Sequence, residues 1–134
     1  MRVHFDRAAP AIIVPTTLVG PSSSKKLDLV LDTGATVCVI SPKAAWAVGI
    51  APIPGGRSKP LTTVSGVIHA PLVTIPEVRL GAFGAKGIET VLHELPPTAG
   101  VDGLLGLSFL RRFHLAIDFE RGFLDLTDGH VIRR

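Results

Sequence analysis

The stretch Leu31-Asp32-Thr33-Gly34-Ala35 decides how the rest of this chain is interpreted. It follows an alternating run, Leu27-Asp28-Leu29-Val30-Leu31, which is typical of a β-strand. An acid, a small hydroxyl residue and a glycine then form a loop at the strand end, where a rigid scaffold can present a reactive carboxylate. Glycine allows a backbone turn that other residues adopt only at a cost. The alternative interpretation is an ordinary Asp-x-Gly turn, in which the acid binds its own backbone.

The composition is that of a folded chain with a hydrophobic core. Its 134 residues are 46% hydrophobic and 19% charged, which excludes intrinsic disorder. This length predicts a single domain over residues 1–134. The net charge of +3 is too small to indicate nucleic acid or an anionic membrane as a partner. No apolar run approaches the ~20 residues that a membrane-spanning helix needs, so no membrane segment is expected.

Cysteine and histidine usage argues against disulfides and metal sites. Cys38 is the single cysteine, so an intramolecular disulfide and a cysteine-based zinc site are excluded. The five histidines are scattered without metal-ligand spacing and are expected to be exposed or hydrogen-bonded; they are His4, His69, His93, His114 and His130. We therefore expect no metal and no cofactor. Asp6 and Pro10 interrupt the N-terminal region, which lacks a convincing signal peptide, so a cytoplasmic location is expected.

Short, often β-branched runs between glycines and prolines predict an all-β protein with tight turns. Leu61 to Ile75 is predicted to form a hairpin about a Ser65-Gly66 turn. Two short helices are predicted. The first follows Ser41-Pro42, a helix cap and first-turn proline, and ends at Gly49; the second covers Leu107 to Phe113. The chain ends in a basic tail, Arg133-Arg134.

A second motif is the segment from Val101 to Leu110. Here an apolar strand, with Leu104 and Leu105, runs into Gly106 and then into the predicted helix. Taken alone, this pattern indicates a close contact between a strand and a helix, with core packing as its simplest explanation.

In this order, about seventy residues apart, the two motifs resemble those of the retropepsin-like aspartic proteases. Asp32-Thr33-Gly34-Ala35 matches the active-site loop of this family, and Leu104-Leu105-Gly106 matches its apolar-apolar-glycine motif. The segment from Thr62 to Ile68 stands where the family has its flap hairpin, and that from Ile117 to Leu126 resembles its closing hairpin. The resemblance, which covers Leu18 to Leu126, implies a closed barrel with a flap hairpin and one or two short helices.

Three departures place the chain nearer to the bacterial and cellular branch than to the retroviral enzymes. Thr36 follows the active-site loop where retroviral members usually have an acid. Leu107 stands where they often have a charged residue, and the Ser65-Gly66 tip has fewer glycines than theirs. We therefore expect that the ion pair beneath the retroviral active site is absent and that the dimer contacts differ.

The resemblance implies an aspartic endopeptidase whose reaction needs two carboxylates facing one water. Two close carboxylates share a proton, because like charges oppose each other's ionisation. The chain has one Asp-Thr-Gly sequence, and Asp102-Gly103, which lacks the hydroxyl residue, is interpreted as a turn. A homodimer with Asp32 from each chain on its two-fold axis would supply the pair. No partner besides a second copy and a protein or peptide substrate is implied.

The resemblance also assigns supporting roles within this composite site. Thr33 would brace the opposite chain's loop, Gly34 would accept or orient the substrate backbone, and Ala35 would support the active site. Ser65 and Gly66 would close over the substrate as the flap and exclude water. Leu104 would line an apolar side-chain pocket, as Val30, Val67 and Ile68 would if they do not belong to the core.

Two other interpretations remain open at this stage. The chain could be a non-catalytic dimerisation or peptide-binding module on the same fold, since a fold does not fix a function. It could also resemble a zymogen, with the residues before Val14 occupying the cleft. Loss of cleavage in Asp32→Asn, and a gain of activity on N-terminal deletion, would distinguish these possibilities.

Overall fold

The computed structural model describes residues 1–128, so His130 and the basic tail Arg133-Arg134 lie outside the described residues. Strands dominate, as predicted. They are β1 (Arg2–His4), β2 (Ile13–Val19), β3 (Ser24–Leu31), β4 (Cys38–Ile40), β5 (Ser58–Thr63), β6 (Gly66–Leu80), β7 (Phe83–Leu92), β8 (Gly103–Leu105), β9 (Phe113–Asp118) and β10 (Phe123–Asp128). The helices are α1 (Pro42–Ala47), α2 (Leu107–Leu110) and a 3-10 turn over Pro97–Ala99.

Six strands close into a barrel, which confirms the predicted fold class. The order is β2-β3-β8-β4-β7-β6, and an additional pairing of β2 with β6 completes the ring. β3 and β8 are parallel, with Leu31 opposite Leu105, whereas β4 and β8 are antiparallel, with Val39 opposite Leu104. The short strand β8 is therefore held between β3 and β4, which are the two strands that flank the Asp-Thr-Gly loop.

The flap hairpin is formed by β5 and the first part of β6. Thr63 pairs with Gly66, so the two-residue turn is Val64-Ser65, one position earlier than predicted. Gly66 has a φ of +120°, which favours glycine at this position. β6 does not end at Ile75 as predicted, because its second part continues into the barrel and pairs with β7 and β2 as far as Leu80.

The two helices are short, and one is shorter than predicted. α1 begins where the sequence indicates, since the Ser41 hydroxyl accepts a hydrogen bond from the Ala44 N–H at 3.0 Å. Gly49, with a φ of +90°, follows its end. α2 was predicted to reach Phe113 but ends at Leu110, because Phe113 starts β9 and pairs with Asp128 of β10.

β1, near the N-terminus, joins β9 and β10 in a separate three-stranded sheet of order β1-β10-β9. The amino group of Met1 donates to the carbonyl oxygen of Leu126 at 2.7 Å. Arg2 forms a bidentate ion pair with Asp125 and lies 3.7 Å from the Phe123 ring centroid. This pairing lowers the pKa of Asp125, chiefly through the hydrogen bond from Arg2.

The main core fills the barrel interior and extends beneath the terminal sheet. Its largest fully buried side chains include Leu18, Leu29, Ile75, Phe109 and Leu124. A second, smaller group consists of Val39, Ala70 and Val91, against which Leu61 and Leu104 pack from partly exposed positions. Because this second group lies on the barrel face below the flap hairpin, it forms the floor of the candidate site.

Candidate active site

The Asp32 carboxylate stands at the end of β3, half-buried, in a loop that its own backbone shapes. The Asp32 N–H donates to the Leu105 carbonyl at 3.0 Å, which extends the β3–β8 pairing by one bond. Oδ1 of Asp32 accepts a hydrogen bond from the Gly34 N–H at 2.9 Å. The acid therefore bonds its own turn, as in the alternative interpretation, and its Oδ2 atom has no hydrogen-bond partner among residues 1–128. The presentation of a reactive carboxylate stays a prediction.

The second motif holds this loop from the other side. The Leu107 N–H donates to the Ala35 carbonyl at 2.8 Å. A Cβ atom at Gly106 would lie 2.5 Å from the Val37 carbonyl oxygen and 2.8 Å from that of Ala35. Since both neighbours are backbone atoms, only glycine allows this close approach. The two motifs form one structural unit, in which the glycine lets α2 begin directly beneath the loop.

Below the loop, the Ser108 hydroxyl joins three elements. It accepts a hydrogen bond from the Cys38 N–H at 3.0 Å and donates to the Glu89 carbonyl at 2.8 Å, so that α2, β4 and β7 are connected. The Cys38 thiol lies 3.4 Å from the same hydroxyl. Burial raises the pKa of the Cys38 thiol, and the hydrogen bond with Ser108 opposes this effect. Ser108 was not among the predicted site residues. Its position two residues after Gly106, at the start of the predicted helix, is the sequence feature that could have indicated a role beside the loop.

Asp102, the other acid of the second motif, supports the backbone. Its carboxylate accepts a hydrogen bond from the Asp28 N–H at 2.8 Å, and its own N–H donates to the Asp28 carbonyl at 2.8 Å. This reciprocal pair continues the β3–β8 pairing at the end remote from Asp32. Asp102 therefore anchors the backbone in a bend directly before β8, where the sequence context predicted a turn.

An open cavity of about 640 Å³ lies between the flap hairpin and the barrel face. It is mostly apolar, and its apolar lining includes Val39, Leu61, Ile68, Leu95, Pro96 and Leu104. Of the predicted site residues, the cavity brings together Ser65 and Leu104. The others are outside its lining: Asp32, Thr33, Gly34, Ala35 and Gly66.

The residues predicted to line the substrate pocket likewise divide into some that line the cavity and some that lie outside it. Ile68 and Leu104 line the cavity, whereas Val30 is half-buried outside it and Val67, 63% exposed, points away on the hairpin. His93 also lines the cavity, although it was predicted only as a scattered histidine.

The N-terminal residues do not fill this cavity. Met1 and β1 lie in the terminal sheet, and no residue before Val14 is among those that line the space below the hairpin in the described part of the chain. The pairing of β1 with β10 draws the first residues away from the hairpin. At the Asp32 loop the zymogen interpretation stays a prediction, since the Ile12 carbonyl accepts a hydrogen bond from the Leu31 N–H at 2.9 Å, next to Asp32.

Among residues 1–128, no group of three or more His, Cys, Asp and Glu side chains is arranged to hold a metal ion. No helix within the same range has the length and apolar character required to cross a membrane.

A six-stranded barrel with a flap hairpin, and with an Asp-Thr-Gly loop at the end of one barrel strand, is typical of the retropepsin-like class of aspartic proteases. The model of the family described as "gag-polyprotein putative aspartyl protease" matches residues 22–112, so the chain belongs to this aspartyl protease family. The solved structure of a retropepsin-like aspartic protease from Rickettsia conorii superposes with a TM-score of 0.68 at 22% sequence identity. The match covers 94% of this chain and 88% of that one, and it confirms the predicted fold.

Proposed function

We propose that the protein is an aspartic endopeptidase that acts as a homodimer, with one Asp32 carboxylate from each chain facing a shared water. The observation that carries the proposal is the loop at the end of β3, which leaves one half-buried carboxylate oxygen available for a further hydrogen bond. Because the carboxylate of Asp102 is bonded to the Asp28 backbone, it does not supply the second acid of the pair. A second copy of Asp32 supplies it.

In the proposed reaction, the two carboxylates hold one proton between them. The ionised carboxylate takes a proton from the water, whose oxygen attacks the peptide carbonyl carbon. The protonated carboxyl donates its proton to the carbonyl oxygen, which gives a neutral gem-diol intermediate. Its breakdown cleaves the C–N bond, with a proton passing to the leaving amine. The backbone-anchored loop keeps the carboxylate in place throughout, because both its ends are bonded to the β8–α2 segment.

The remaining predicted residues support this centre. Thr33 is exposed beside the acid, so its hydroxyl is available to bond the partner subunit's loop. Gly34 presents no side chain to an approaching substrate backbone, and Ala35 connects the loop to α2 through its carbonyl. Ser65 and Gly66, at the exposed tip of the hairpin, close over the bound peptide. Leu104 contributes to the apolar wall that receives a substrate side chain.

The decisive experiment compares wild-type protein with Asp32→Asn. An unfolded protein substrate is incubated with each across acid to neutral pH, and products are identified by mass spectrometry. Wild-type protein is expected to cleave, whereas Asp32→Asn is expected to lose cleavage and keep its dimer in sedimentation velocity. Glu120→Gln, which makes the same acid-to-amide change in the exposed β9–β10 turn, is the matched control and should retain full activity.

Two outcomes would contradict the proposal. A wild-type chain that stays monomeric at high concentration would exclude the composite site. A dimer that binds peptides without cleaving them, whether or not Asp32 is substituted, would instead identify the non-catalytic peptide-binding module.

A further inference from the structure

The lining of the cavity below the flap hairpin includes one imidazole, that of half-buried His93. Most of the lining is apolar, and its other polar side chains are the hydroxyl residues Thr62, Thr63 and Ser65 of the hairpin. Within residues 1–128, no hydrogen bond to its ring is recorded. On the hairpin side, the hydroxyl of Thr63 is already used: it donates to the Gly66 carbonyl at 2.9 Å and accepts from the Ser65 N–H at 3.2 Å. His93 is thus a polar group on the cavity wall with its hydrogen-bonding capacity available.

Strand register fixes where this ring lies. Val91 pairs with Val39, which pairs with Leu104, so these three residues share the barrel face below the hairpin. His93 follows Val91 by two residues and, because side chains alternate along a strand, points to the same face. Its backbone N–H donates to the Ile40 carbonyl at 2.9 Å, which extends the β4–β7 pairing and anchors the residue.

The same register separates His93 from the candidate catalytic carboxylate. Val30 pairs with Leu104, and Asp32 follows Val30 by two residues, so Asp32 shares this face as well. Asp32 lies beyond one end of β8 and His93 beyond the other. Two strand residues span ~7 Å on each side of the Leu104 level, and β8 and β4 lie between β3 and β7, which adds roughly 14 Å across the sheet. His93 and Asp32 are therefore roughly 20 Å apart, so an extended peptide held at Asp32 would meet His93 with a residue several positions away from the scissile bond.

The surroundings restrict the chemistry of that substrate residue. Glu94 and Asp102 line an adjoining concavity that shares Leu95 and Pro96 with the cavity, and their charges disfavour a carboxylate. Short polar side chains would cover little of the apolar walls, so they would gain little from burial in the cavity. A side chain that suits the cavity has a large apolar body and a hydroxyl at its tip, which describes tyrosine.

We propose that His93 is a specificity-determining residue that recognises a tyrosine side chain of the substrate several positions away from the scissile bond. The inference rests on the peptidase function proposed above. An imidazole ring always carries at least one N–H, which can donate to the phenol oxygen. A phenylalanine in the same place would fill the cavity but leave this donor unpaired. One such hydrogen bond at a half-buried site corresponds to roughly a 2- to 10-fold preference for tyrosine.

The test uses peptides that differ only by tyrosine or phenylalanine at one position. A cleavage-site profile of unfolded proteins first identifies the position, and kcat/KM is then measured for each peptide pair. Wild-type protein is expected to prefer tyrosine by roughly 2- to 10-fold, and His93→Phe to reduce that ratio to about 1. His69→Phe is the matched control, since His69 is exposed on β6 outside the cavity lining, and it should leave the ratio unchanged.

The possible results separate this inference from the proposed function. Equal tyrosine-to-phenylalanine ratios in wild-type protein and His93→Phe, with cleavage intact, would overturn the role of His93 and leave the peptidase proposal standing. If wild-type protein cleaves nothing, binding of the same peptides is measured by calorimetry. A tyrosine preference that disappears in His93→Phe would then support the inference while the peptidase proposal fails. Absence of both cleavage and binding would overturn both.

Discussion

Substitution Ser108→Ala tests whether the hydroxyl below the Asp32 loop stabilises the site. It would remove the acceptor for the Cys38 N–H, a buried backbone donor, and one donor to the Glu89 carbonyl. An orphaned buried donor costs about 1–3 kcal/mol, whereas a carbonyl that loses one of its donors costs less. We therefore expect the free energy of unfolding to fall by about 1–3 kcal/mol.

Urea unfolding measures this loss. For a slope of about 2 kcal/mol per molar urea, the expected loss lowers the midpoint by roughly 1 M. Protein concentration must be the same for every variant, because the midpoint of a dimer depends on it. Ser58→Ala is the matched control: Ser58 is exposed on β5, so the change should stay within about 0.5 kcal/mol of wild type. A midpoint for Ser108→Ala no lower than that of Ser58→Ala would refute the assigned role.

Two further predictions concern titratable groups near the same elements. The Cys38 thiol is buried and has a raised pKa, so it should resist alkylation at neutral pH in native protein and react once urea unfolds the chain. Mass spectrometry measures the extent of alkylation, and rapid alkylation of the native protein would contradict the burial of the thiol. The bidentate hydrogen bond from Arg57 lowers the pKa of Glu89 in the folded protein. This pair therefore stabilises the fold fully above the unfolded-state pKa of about 4.3, and that stability is lost as the pH falls through the lower pKa of the folded state. Wild type should therefore exceed Glu89→Gln in urea midpoint near pH 6, and this difference should shrink as the pH is lowered through the folded-state pKa of Glu89. A pH-independent difference would disprove the linkage.

The features predictable from the sequence are those whose signals are local. Ser41 before Pro42 predicts the start of α1 because a cap and its helix are adjacent in the chain. A glycine near a short turn similarly predicts the flap hairpin, with an error of one residue in the turn. The Asp-Thr-Gly loop was identified for the same reason, since Oδ1 of Asp32 and the N–H of Gly34 are only two residues apart.

The features that could not be predicted depend on contacts between distant segments. Closure of the barrel requires β2 to meet β6, and no local pattern determines which strand edge joins which. The premature end of α2 has the same origin, because pairing of Phe113 with Asp128 competes with helix continuation. Ser108 and His93 carry no motif of their own. Their importance follows from β4 and β7 lying side by side, which only the assembled sheet reveals.

The proposed dimer gives the His93 inference a further consequence. A two-fold axis between the two Asp32 carboxylates duplicates the cavity, so that one His93 lies toward each end of the combined cleft. A peptide substrate is directional and lacks this symmetry. Its residues on the amino side of the scissile bond meet one cavity, and those on the carboxyl side meet an identical cavity with the peptide running in the opposite direction relative to it. His93 of one chain therefore contributes to selectivity on one side of the scissile bond and His93 of the other chain on the opposite side, with unequal strength. Because the selectivity comes from a single residue per chain, His93→Phe is expected to weaken a tyrosine preference on both sides at once.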